Sequence, residues 1–125
     1  MIVVADSGPV HYLLLVDQIE LLRRFYGRVV IPDAVAIELS AASSPAAVSI
    51  WIAHPPEWAV VTAVPPDQIA TVSEDLDLGE RAAIALADSL RADLLLIDEA
   101  AGRMEAKRRH LMPPRIVAPC CGLWT

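Results

Sequence analysis

A chain of 125 residues that is 55% hydrophobic and 21% charged, with mean hydropathy +0.46, is one domain of ordinary size whose apolar content excludes intrinsic disorder. Its apolar runs (Ile2–Ala5, Leu13–Val16, Leu94–Ile97) fall far short of the roughly 18 residues of a membrane span, and Asp6 interrupts an N-terminal stretch that no positive charge precedes, so neither a membrane helix nor a secretory leader is expected and the expected compartment is the cytoplasm. The formal net charge of −6 excludes a general polyanion binder, although the charge is uneven: residues 1–99 hold 5 Arg against 15 Asp or Glu (net −10) and residues 100–125 hold 5 Lys or Arg against 1 Glu (net +4). Any nucleic-acid contact therefore needs the basic patch of the tail or bound cations. The two cysteines, Cys120 and Cys121, have neither metal-site spacing nor the separation of an ordinary structural bridge, and read as reduced thiols.

Met1–Ala5 is a β-branched apolar run closed by Asp6, Ser7, Gly8 and Pro9, a buried strand followed by a turn into a helix. The helical stretch His11–Phe25 is expected in two pieces broken near Val16 and Asp17, because Leu13, Leu14 and Val16 and then Ile19, Leu22 and Phe25 keep apolar spacings of three or four; Gly27 ends it. Arg28–Ile31 reads as a second strand, and Pro32 as the first position of a short helix through Val35, Glu38 and Leu39. Five prolines between residues 43 and 66 confine that segment to a helix near Ala46–Ala53 and a strand at Ala59–Val64. After a polar stretch, Asp77–Leu90 is an Ala-rich helix with acidic residues near its start. Leu94–Ile97 is a strand closed by Asp98, and residues 100–111 form a basic helix carrying Arg103, Lys107, Arg108 and Arg109. Beyond it Pro113, Pro114 and Pro119 argue against any regular element. Strands that alternate with helices and are apolar throughout predict an α/β fold, a central parallel sheet covered on both faces in a three-layer α/β/α arrangement.

The pattern of a buried strand whose first polar residue is an aspartate occurs twice, in Ile2-Val3-Val4-Ala5-Asp6 and Leu94-Leu95-Leu96-Ile97-Asp98. In an open parallel sheet both carboxylates emerge at the carboxyl edge of the strands, where such folds place ligands; either residue alone is also a good turn former and helix cap. Glu80 heads a stripe of Ala83, Ala87 and Leu90 that should face the sheet, or else is a first-turn glutamate favoured by the helix dipole. Glu38, flanked by Val35 and Leu39, is either on the packed side of its helix or on a solvated face. Asp6, Glu38, Glu80 and Asp98 can thus reach one sheet edge from four elements. Such a cluster is tolerable with bound cations, and all-oxygen ligands select Mg²⁺ or Mn²⁺, which suits phosphodiester hydrolysis with metals roughly 4 Å apart. His11, His54 and His110 lack ligand spacing, and no phosphate loop, Ser-His or Cys-His pairing competes.

At these residues the chain resembles a known family. Val3-Val4-Ala5-Asp6-Ser7-Gly8-Pro9, Ile31-Pro32 with Glu38-Leu39, Leu78-Gly79-Glu80-Arg81-Ala82-Ala83-Ile84-Ala85-Leu86-Ala87 and Leu94-Leu95-Leu96-Ile97-Asp98-Glu99 resemble the PIN domain, with its Rossmann-type topology, and within it the small prokaryotic branch. The resemblance covers about residues 1 to 111. It implies a Mg²⁺- or Mn²⁺-dependent ribonuclease acting on RNA, and a toxin held inactive by a cognate antitoxin and working as a homodimer. It also implies Asp6, Glu38, Glu80 and Asp98 as metal ligands, with Glu99 a substitute for Asp98, and Ser7 orienting a ligand or water. Arg81, Arg103 and Lys107 are candidates for phosphate contact or else solvated helix charges.

Met112–Thr125 departs from the family's usual last strand and helix, so residues 1–125 are expected as a single domain with an atypical tail, which a frame slip or truncation near Leu111 would explain. Loss of the last strand would leave an exposed sheet edge. Two other readings stay open: a catalytically impaired interaction module, with Trp51, Trp58 and Trp124 as anchors, and a receiver-like phosphoacceptor domain. The second lacks the adjacent acids after the first strand and the lysine after the last, since Ser7 follows Asp6 and the only lysine is Lys107.

Overall fold

The computed structural model describes residues 1–97 and the short strand Ile116–Val117. The elements run β1 (Val3–Ala5), α1 (Ser7–Leu15), α2 (Glu20–Tyr26), β2 (Val29–Pro32), α3 (Asp33–Leu39), α4 (Ala46–Ala53), β3 (Ala59–Thr62), α5 (Pro66–Ile69), α6 (Leu78–Leu90), β4 (Leu94–Leu96) and β5 (Ile116–Val117). The strands form one sheet in the order β3-β2-β1-β4-β5, and every pairing is parallel.

Alternation along the strands divides the core. Val3, Ala5 and Leu96 point to one face, where Val10 and Leu13 of α1, Leu22 of α2, Val35 and Leu39 of α3 and Val48 and Ile52 of α4 cover them. Val4, Leu95 and Ile97 point to the other face, against Ala82, Ala83 and Leu86 of α6 and the flanking Val64, Val72 and Leu76. Because both faces are covered, a strand gains burial from every side chain, which is why these strands carry no polar alternation. This is the three-layer α/β/α fold with a central parallel sheet.

The interruption between α1 and α2 falls where the spacing places it, with Asp17 at φ 56° and Gly27 closing α2 at φ 79°. Three expectations need correction. Pro32 closes β2 and precedes α3 instead of opening it; its Cα pairs with Thr62 in the β2–β3 register. The polar stretch after β3 contains α5, a single turn begun by Pro66, whose fixed φ is ready for a helix although four residues show no periodicity. The prolines of the tail do not forbid a strand: Ile116 and Val117, β-branched and lying between Pro114 and Pro119, pair in register with Leu95 and Leu96. The fourth strand is therefore not the edge of the sheet. Among the described residues no helix is long and apolar enough to cross a membrane.

The chain lays down β1, β2 and β3 outward in one direction, then returns to the opposite side of β1 for β4. The reversal opens a crevice at the carboxyl ends of β1 and β4, the place where open parallel sheets bind ligands.

Candidate active site

Asp6 stands at the carboxyl end of β1 and at the N-cap position of α1. Its backbone N–H donates to the Leu96 carbonyl at 2.9 Å, which fixes it at the crevice between β1 and β4. Its side chain makes no capping hydrogen bond, so the simplest structural use of an aspartate here is not taken. The residue is 3% exposed, the one buried polar or charged residue among the described residues, and its Oδ1 has no hydrogen-bond partner among them. Burial raises the Asp6 carboxyl from 3.8 to about 7; the Ser7 backbone amide opposes the rise, and the charges of Asp77, Glu80 and Glu38 add to it.

The first turn of α6 carries three of the surrounding features. Asp77 Oδ1 accepts from the Glu80 N–H at 2.8 Å and Glu80 Oε1 accepts from the Asp77 N–H at 3.2 Å, a reciprocal capping box that satisfies two donors at the helix start. Glu80 thus has the first-turn role, and its negative charge also reaches Asp6. Gly79, buried between the two capping residues, has no side chain where a Cβ would collide with Glu38 Oε2 and lie 3.5 Å from Asp6 Oδ1. Glu38 comes from α3, where its exposed side chain follows buried Val35 and precedes buried Leu39.

The stripe assigned to α6 shifts by one position. Its packed residues are Gly79, Ala82, Ala83, Ile84, Ala85 and Leu86, while Leu90 is 37% exposed, so Glu80 stands half-buried at the margin of the packed face and does not head it. Asp6, Glu38 and Glu80 are brought together around the start of α6. Ser7 opens α1 beside Asp6 and is half-buried. The Nη2 of Arg81 donates to the Ile69 carbonyl of α5 at 3.3 Å, and its buried Nε has no partner among the described residues. Asp98, Glu99, Arg103 and Lys107 lie outside the described residues. Among the described residues no three His, Cys, Asp or Glu side chains gather closely enough to hold a metal ion. Sequence reasoning missed Asp77 and Gly79 as neighbours of Asp6; the Asp-x-x-Glu capping pattern was the available signal for the first.

The PIN domain family DUF3368 matches residues 2–116. The chain belongs to the PIN domain family. The match runs past residue 111 and reaches β5, consistent with a fifth strand in the sheet. No curated protein and no solved structure matches the chain. PIN domains are typically nucleases, hydrolases that usually use divalent metal ions.

Proposed function

We propose that this PIN domain is a Mg²⁺- or Mn²⁺-dependent endoribonuclease that hydrolyses RNA phosphodiester bonds at the Asp6 crevice. The observation that carries this reading is the buried Asp6 carboxylate, whose Oδ1 lacks a donor among the described residues while three further carboxylates press on it. A group so placed is costly as an isolated charge, and a cation removes the cost. The donor set is all oxygen, which suits a hard divalent ion. Asp6 and Glu38 would hold it together with Asp98 or Glu99, with Glu80 adding negative charge; a bound ion there supplies an activated water and stabilises the leaving oxygen.

The chain's own residues have definable tasks. Asp6 must release its proton before it can ligate, so ion binding strengthens as the pH rises through about 7. Ser7, next to Asp6 in the first turn of α1, orients a ligand or water. Arg103 and Lys107 supply phosphate contacts from the net basic C-terminal region. Arg81 joins them only by exchanging its hydrogen bond to Ile69 for a phosphate.

Within this reading the chain is one domain over residues 1–125, the toxin of a toxin–antitoxin pair, bound by its cognate antitoxin, homodimeric and cytoplasmic. Apolar surface supports the partner-binding part: Leu15, Phe25, Ile37 and Ile50 are 56%, 60%, 72% and 65% exposed. The test is cleavage of end-labelled RNA by the purified chain in Mn²⁺, with EDTA and with Asp6→Asn as controls. Loss of cleavage in both controls is expected; a folded protein that leaves several RNAs intact would instead support a disabled domain that acts by binding.

A further inference from the structure

We propose that Gly79 is a positioning residue of this site: the space left by its missing side chain is where the Glu38 carboxylate lies, within reach of a ligand shared with Asp6. The inference rests on the reading of Asp6 and Glu38 as ion ligands.

A glycine near the start of a 13-residue helix needs an explanation, because alanine is the better helix former. Backbone conformation does not supply it, since Gly27 is the glycine with positive φ among the described residues. Space does. The three atoms nearest to a Cβ on Gly79 are Glu38 Oε2, Glu38 Cδ at 3.4 Å and Asp6 Oδ1 at 3.5 Å, whereas Gly8 and Gly27 have nothing within 4 Å. The space therefore faces two carboxylates that come from different elements, and the nearest atoms belong to no core side chain. Glu38 is exposed and its carboxylate is the far end of a flexible chain, so a methyl group at residue 79 would displace the carboxylate and leave the packing of α6 as it is.

The consequence is a variant that keeps the fold and spoils the site. Gly79→Ala is expected to melt within a few degrees of the wild type while binding Mn²⁺ about 10- to 100-fold more weakly in a calorimetric titration, the range typical for residues that orient metal ligands. Glu38→Asp shortens the side chain by one methylene and withdraws the carboxylate from residue 79. In that background Gly79→Ala is expected to cost little further affinity, because the two substitutions act through one contact. Mn²⁺ binding by Gly79→Ala equal to wild type overturns the proposal. So does an affinity loss that is as large in the Glu38→Asp background as alone, or a melting temperature that falls along with the affinity, which would make the glycine a packing residue. Wild-type protein that takes up no Mn²⁺ overturns the ion-ligand reading itself, and the proposal with it.

Discussion

Replacing Asp6 by Asn should stabilise the metal-free protein at high pH and leave it nearly unchanged at low pH. The folded state holds this carboxyl at about 7 against 3.8 for an ordinary aspartate. Between those values the folded chain keeps a proton that the unfolded chain has lost, so stability falls by about 1.4 kcal/mol for each pH unit and levels off above pH 7. The full interval corresponds to about 4 kcal/mol, an upper figure for what Asp6→Asn recovers at pH 8, since the amide keeps the shape of the side chain without its charge. By pH 4 the difference should have shrunk to about 0.5 kcal/mol, and it should vanish about one unit below 3.8, where the unfolded carboxyl is protonated as well. Urea unfolding in EDTA at pH 4, 6 and 8 measures it. A difference that does not depend on pH, or an Asn variant less stable than wild type at pH 8, would refute the placement of an unpaired carboxylate in the buried crevice.

Other consequences follow from the same contacts. Asp77→Asn keeps a capping oxygen on α6 but removes a charge from beside Asp6, so the Asp6 carboxyl should titrate lower in a carbon-detected NMR titration, whereas Asp77→Ala should also lose about 1 kcal/mol of stability with the cap. Leu96→Ala, at a position with no solvent exposure, should cost 2 to 5 kcal/mol in urea unfolding, a magnitude typical of emptied core sites. Val117→Pro removes a backbone donor from β5, which pairs with β4 through Leu96, and should increase aggregation in light scattering by exposing the β4 edge. Mn²⁺ at about 100 times its dissociation constant should add about 2.7 kcal/mol to wild-type stability and far less to Asp6→Asn.

The central strands β1 and β4 were legible because they are buried on both sides, which turns each into a short unbroken apolar run closed by a polar residue. The α1–α2 interruption was legible because two apolar registers of the same helix period do not join across Asp17. The single turn of α5 and the two residues of β5 were not, since neither is long enough to show a period and both are framed by prolines that ordinarily signal irregular chain. Within the site, the repeated strand-Asp pattern singled out Asp6, but it could not show that the carboxylate would be buried with its Oδ1 unpartnered among the described residues. That follows from the crossing of β1 and β4 with the start of α6, which sequence spacing does not encode. Gly79 and Asp77 were hidden for the same reason: their proximity to Asp6 arises from packing between α6, α3 and β1. Glu80 divides the two readings of it: its place in the first turn of α6 was legible, whereas it does not head the packed stripe, and its hydrogen bond to the Asp77 amide decides its first role.

The central claim is that the carboxylates at this crevice direct water, delivered with a divalent ion, onto an RNA phosphate. Its most direct test is the chemistry of the cut ends. Hydrolysis by water leaves no cyclic phosphate, whereas attack by the neighbouring 2′-hydroxyl does. Mn²⁺-dependent fragments that lack a 2′,3′-cyclic phosphate are expected, formed by the wild type and absent with EDTA or with Asp6→Asn. Fragments that carry the cyclic phosphate, or that form equally well in EDTA or with Asp6→Asn, would contradict it.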